Sequence, residues 1–221
     1  MQIIDYLIHS EKYLPEFIQL YGSWIYLLYF AILFVETGLV IFPFLPGDSI
    51  LFLGGSLAAL KNGAINVWYL IIISIIAAIL GDFVNFEIGK RFGHYIENSP
   101  KCQKFIKPEY LKQAQEFFNK YGKASIFLGR FMPIIRTMVP FVAGTAKMTY
   151  RHFVVYNIVG GTTWVGLMTL LGYFFGQHPF VQKHFSLILV AIVLISVLPA
   201  VLVWLKGAFQ KNKSENKNFH K

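Results

Sequence analysis

The sequence predicts an all-α integral membrane protein: two re-entrant helical hairpins in an inverted repeat, set among transmembrane helices, with an amphipathic cytoplasmic helix. Three observations carry that expectation. The 221 residues are 56% hydrophobic, 17% aromatic and only 14% charged, a balance suited to lipid rather than to a soluble core. Apolar runs at 24–42, 67–80, 153–175 and 185–205 approach or exceed the ~20 residues that cross a hydrocarbon core, without the ~10-residue alternation of barrel strands. Residues 127–144, FLGRFMPIIRTMVPFVAG, place two arginines, two prolines and two glycines inside an otherwise apolar stretch.

Charge is distributed unevenly along the chain. The net +9 comes mostly from two basic segments, residues 90–123 and the tail at 206–221, whereas residues 1–22 are acidic. By the positive-inside rule both basic segments lie in the cytoplasm, which puts the C-terminus there. Membrane topology accounts for this charge, so nucleic acid is not an expected partner. Cys102 is a lone cysteine and reads as an ordinary reduced thiol. No cleavable signal peptide is expected, since the first residues lack a basic start and a small-residue cleavage site.

In chain order, residues 1–22 mix apolar positions with Asp5, Glu11 and Glu16, which suits an interfacial amphipathic segment. A single membrane domain is expected over 23–205, with a first repeat at about 24–93, a second at about 109–176 and a final span at 185–205. The first apolar run carries Glu36, breaks at Pro43, Pro46 and Gly47, and resumes after Asp48. Such a segment enters, turns and leaves on one side as a re-entrant hairpin, and Asp48 suits the start of the returning helix. The next span, 67–92, ends with Gly81, Asp82, Asn85 and Glu87 just before Lys90 and Arg91. Either those carboxylates pair with the two cations at the interface, or Asp82 serves proton coupling.

Residues 100–123 alternate polar and apolar positions as an amphipathic helix does. The arginine stretch follows. Arg130 and Arg136 would each cost roughly 2.5–3.5 kcal/mol at the bilayer centre, and Pro133 and Pro140 each remove a backbone donor. A break in the backbone lining a cavity is the expected solution. Beyond it, a span at 153–175 carries Gly160, Gly161 and Gly166 for close packing, and 177–184 reads as a turn.

The halves share a pattern. Pro43 precedes Gly54 by eleven residues, as Pro133 precedes Gly144, and each half ends in Gly-x-x-Phe-Gly, at 89–93 and 172–176. Interrupted segments in corresponding places of two halves point to a transport site between them. Glu36 and Asp48 would then approach Arg130 and Arg136, so that four charges survive by pairing. Arginine's planar fork suits a phosphate, and carboxylates released by an anionic ligand would take up protons. Arg130 and Arg136 are therefore the expected substrate-binding residues. Glu36, Asp48 and Asp82 are expected for proton coupling, and Pro43, Pro46, Gly47, Pro133 and Pro140 for the hairpin breaks.

Three stretches, ETGLVIFPFLPGDSILF at 36–52, GDFVNFEIGKRFG at 81–93 and GRFMPIIRTMVPFVAGTAKM at 129–148, resemble motifs of the DedA family of bacterial inner-membrane proteins, within the SNARE-associated superfamily. The resemblance runs over about residues 20–205. It implies a multi-pass inner-membrane protein that flips a lipid, undecaprenyl phosphate or a phospholipid, in dependence on the proton gradient. The family's acidic pair falls on Glu36 and Asp48, and its arginine pair on Arg130 and Arg136.

Other functions need other residues. A lipid phosphatase would use arginines too, but also a histidine nucleophile, and the six histidines sit in terminal or loop segments. A proton-dependent ion exchanger would need the carboxylates and not the arginines. No catalytic residue, cofactor or metal site is expected, since no ligand pairs stand at metal spacing. The sequence admits a homo-oligomer without requiring one.

Overall fold

A computed structural model describes residues 22–39, 47–60, 65–98, 108–184, 187–188 and 191. Residues 1–21, Pro43, Pro46, Cys102, nearly all of the span at 185–205 and the tail at 206–221 lie outside them. Among the described residues the regular structure is entirely helical: α1 (Trp24–Gly38), α2 (Gly47–Ala58), α3 (Val67–Asn98), α4 (Pro108–Tyr121), α5 (Ser125–Gly129), α6 (Pro133–Thr145), α7 (Tyr150–Gln177) and α8 (Pro179–Lys183), with a short 3-10 turn at Gly122–Ala124.

Stretches of α3 and α7, Val67–Tyr95 and Tyr150–Gln177, are long and apolar enough to cross a membrane. The start of α3 is capped by Asn66, whose Oδ1 accepts from the Trp68 and Tyr69 amides at 2.9 and 3.3 Å. Both helices turn large apolar side chains outward, at Trp68, Ile72, Ile76 and Leu80 on α3 and at Val155, Val159, Leu167 and Leu171 on α7. Recurrence every fourth residue, interrupted on α7 by the exposed Thr163, makes a largely apolar face, which lipid tolerates and water does not.

The small residues explain how the helices approach. A side chain on Gly172 would strike the Phe52 backbone, and one on Gly176 the Ser56 backbone; likewise Gly89 meets Phe141 and Gly93 meets Thr145. Since the contacts advance together along both members, α2 runs in the same direction as α7, and α6 in the same direction as α3. Hydrogen bonds repeat the correspondence. Ser56 Oγ donates to the Phe52 and Gly172 carbonyls, while Thr145 Oγ1 donates to those of Phe141 and Gly89. The Gly-x-x-Phe-Gly glycines of each half thus receive the short helix of the other half. Gly55, not Gly54, corresponds to Gly144: each would drive a Cβ into a facing helix backbone, whereas Gly54 faces the Tyr29 ring.

Two sequence expectations are corrected in the second half. Pro140 was expected to break the backbone, yet α6 runs through it. The interruption falls earlier, at Arg130–Met132, where Met132 is extended (φ −117°, ψ 107°) and Pro133 opens the helix at a position that needs no amide donor. Once the chain has turned there, Pro140 costs α6 one internal hydrogen bond. The expected turn at 177–184 instead holds α8, started by His178, whose Nδ1 accepts from the Phe180 amide at 3.3 Å.

Apolar packing follows the same division. Phe86, Met138, Phe141 and Phe153 join α3, α6 and α7, with Phe86 stacked on Phe153 at a centroid distance of 4.1 Å. Tyr110, Leu111, Phe117 and Phe118 lay the apolar face of α4 against this cluster. Leu33, Leu51, Ala77, Ala78 and Trp164 join α1, α2, α3 and α7.

Candidate functional site

Glu36 stands on the last turn of α1 and Asp48 on the first turn of α2, where the helix dipole favours a carboxylate. Arg136, on the first turns of α6, reaches both. Its Nη2 pairs with Glu36 Oε1 and its Nη1 with Asp48 Oδ1 at 2.7 Å. Glu36 Oε1 also accepts from the Gly47 amide at 3.3 Å, and a side chain at Gly47 would overlap the Glu36 carboxylate. A side chain at position 47 would therefore push the Glu36 carboxylate out of this contact. Exposure is graded across the cluster: 0% for the Glu36 side chain, 10% for Arg136 and 39% for Asp48.

Arg130 sits in a second cluster. Its Nη2 pairs with Asp82 of α3 and donates to Asn157 Oδ1 of α7, and both charged side chains are 5% exposed. Asn157 is itself anchored by donating to the Ile79 carbonyl at 3.0 Å. Gly160 and Gly161 make the room, since a Cβ on either would crowd the Arg130 side chain. Gly166, expected to pack in the same way, faces open space.

Trp164 of α7 joins the clusters. Its Nε1 donates to Asp48 Oδ1 at 2.8 Å, and its ring lies 5.2 Å from the Arg136 guanidinium carbon and 5.9 Å from that of Arg130, within the range of cation–π attraction. Asn85 of α3, fully buried, donates to the Thr37 and Thr137 carbonyls at 3.2 and 2.7 Å. Those residues immediately follow Glu36 and Arg136, so one side chain sets the register of the ion pair between them.

Sequence reasoning placed Glu36 and Asp48 opposite the arginines, and both fall on Arg136. Asp82, for which sequence offers either an interfacial pair or a coupling role, is paired with Arg130; the carboxylate that pairs with a neighbouring cation at this end is Glu87, with Arg91 at 3.0 Å. Pro133 opens the helix that carries Arg136. Asn157, Trp164 and Asn85 were not anticipated as site residues. A signal existed for Asn157, a lone amide between apolar residues of a span; Trp164 gave none, since an aromatic in an apolar run reads as core. Among the described residues no group of three His, Cys, Asp or Glu could hold a metal ion.

Helices with outward apolar faces around two buried ion pairs define a helical membrane protein with a polar site between its helices. The VTT domain matches residues 45–174. Protein DedA of Escherichia coli K12 is 46% identical over 200 residues, covering 90% of this chain and 91% of that protein. An uncharacterised membrane protein of Mycobacterium tuberculosis H37Rv is 44% identical over 77% of this chain and 74% of its own length. Inner membrane protein YqjA of Escherichia coli K12 is 33% identical over 79% and 78%. The chain belongs to the DedA family and is a membrane protein. No solved structure matches it.

Proposed function

We propose that this protein carries an anionic lipid, undecaprenyl phosphate or a phospholipid, across the bacterial inner membrane, with Arg136 as the headgroup ligand and protons as the coupled species. One observation carries the reading: Arg136 is shared by two carboxylates of unequal exposure, so a phosphate entering beside Asp48 meets one arm of a guanidinium fork whose other arm is held by buried Glu36.

Charge balance supports proton coupling. Glu36, Asp48 and Asp82 face Arg130 and Arg136, three carboxylates against two guanidiniums. An arriving phosphate adds negative charge to a cluster already in deficit, and proton uptake by carboxylates it displaces restores the balance. The reading involves no bond-breaking step and assigns no catalytic residue.

The reciprocal packing supports an inverted repeat of two re-entrant hairpins. Helices α1 and α2 run oppositely, with Gly47 beside Glu36 and Gly54 beside Tyr29. Because α6 follows α3, and α2 follows α7, the order of directions in one half is reversed in the other. Glu36, Gly47 and Asp48 at one hairpin and Arg136 at the other then meet between the halves, with the basic ends of the spans and the C-terminus in the cytoplasm.

Translocation of undecaprenyl phosphate, and separately of phosphatidylglycerol, is to be measured in proteoliposomes with and without an imposed proton gradient. Accelerated translocation of one of them under the gradient is the expected result. Rates equal to protein-free vesicles for both would overturn the carrier. An ion exchanger is separated by Arg136→Ala, which should abolish lipid movement but spare proton exchange that needs carboxylates alone.

A further inference from the structure

Asp48 Oδ1 accepts two bonds, one from Arg136 Nη1 at 2.7 Å and one from Trp164 Nε1 at 2.8 Å. The indole that supplies the second is 2% exposed and belongs to α7, a different element from either charged partner. An indole N–H only donates and does not titrate, so its hold on Asp48 persists whether or not Arg136 is engaged. Glu36 has no equivalent. Its Oε1 is held by Arg136 and by the Gly47 amide, and among the described residues its Oε2 has no hydrogen-bond partner. Displacing Glu36 from Arg136 would leave a fully buried carboxylate with one backbone donor, whereas displacing Asp48 leaves a partly exposed one with an indole donor.

We propose that Trp164 is a positioning residue that retains Asp48 when an anionic headgroup takes the Nη1 edge of Arg136, so that Asp48 and not Glu36 is the carboxylate that yields. This inference rests on the carrier reading above. The ring serves the same end: by facing both guanidiniums at 5.2 and 5.9 Å, it keeps an attractive surface under Arg136 while the anion around it is exchanged. The site is then a fixed cation with one permanent and one exchangeable carboxylate.

The test is calorimetric titration of farnesyl phosphate into the purified full-length protein in detergent, for wild type, Trp164→Phe, Asp48→Asn and the double variant, with farnesol and inorganic phosphate titrated in parallel. Phenylalanine keeps an aromatic face and removes the N–H. In the wild-type background this substitution should weaken farnesyl phosphate binding about three- to tenfold, because the indole bond strengthens once Asp48 has lost its cation and only that gain is read in the affinity. In the Asp48→Asn background, where no carboxylate holds the Nη1 edge of Arg136, it should change affinity less than about twofold. The same loss in both backgrounds, or none in either, would overturn the role of Trp164 while leaving the carrier in place. Failure of the wild type to bind farnesyl phosphate, or equal affinity for inorganic phosphate, would overturn the lipid reading itself and this inference with it.

A second measurement serves if Trp164→Phe does not fold. In protein with Trp24, Trp68 and Trp204 replaced by phenylalanine, the remaining indole N–H resonance should keep its hydrogen-bonded position when farnesyl phosphate is added. Movement to the position of a water-exposed indole would overturn the proposal.

Discussion

Arg130 and Arg136 lie six residues apart in one sequence motif and have been built into opposite kinds of site. Arg130 is enclosed, with one carboxylate, one amide oxygen and two glycines that admit its stem. Arg136 is divided between two carboxylates that come from the facing ends of two helices, one of them 39% exposed. The first arrangement pairs a charge among α3, the end of α5 and α7; the second leaves one partner partly open to solvent. On the proposed carrier reading, Arg130, expected from sequence as a second headgroup ligand, takes a structural role and Arg136 an exchangeable one, and burial separates the two where the motif cannot.

Variants at the closed cluster should have the largest effect on stability. Arg130→Ala strands Asp82 without its cation and should cost about 3–5 kcal/mol, read as a lower unfolding midpoint in detergent. Arg130→Ala combined with Asp82→Ala should recover at least half of that loss, and a double variant no more stable than the single one would contradict the structural role. Gly47→Ala comes next. Its Cβ would overlap the Glu36 carboxylate, so a loss of about 1–3 kcal/mol should accompany failure of lipid translocation; an active, wild-type-stable variant would mean that the helix ends meet less closely. A further contrast lies on α7. Gly172→Ala should destabilise by about 1–3 kcal/mol because its Cβ would strike the Phe52 backbone, while Gly166→Ala, facing open space, should be neutral or stabilising by up to about 1 kcal/mol.

How far this was legible from sequence depended on range. The spans at α3 and α7 follow from local hydropathy, and the amphipathic α4 from local periodicity; residues 100–107 of that expected helix lie outside the described residues. Glu36, Asp48, Arg130 and Arg136 stood out because each is a charge among apolar neighbours. The repeat brought the four together, but it did not assign both carboxylates to Arg136, which finds Glu36 and Asp48 at separations of 100 and 88 residues, where no periodicity operates. Asp82 has Lys90 and Arg91 close by in sequence, which favoured a local pair over Arg130, 48 residues away. Pro140 was read by its missing donor alone, yet a helix survives one lost bond when its neighbours pack, and Val139 and Phe141 on either side are buried. The repeated Gly-x-x-Phe-Gly was visible in both halves, but its role as a seat for the opposite half's short helix appears only when the helices are laid side by side.

The most direct test of the difference between the two arginines is lipid translocation by Arg136→Lys in proteoliposomes, corrected for folded protein and run beside the Arg130→Ala and Asp82→Ala double variant. Lysine keeps the charge and loses the fork, so translocation by Arg136→Lys should fall at least about tenfold, the equivalent of one charge-assisted hydrogen bond, with the unfolding midpoint shifted less than in Arg130→Ala. Wild-type translocation by Arg136→Lys would contradict Arg136 as the ligand of the lipid headgroup.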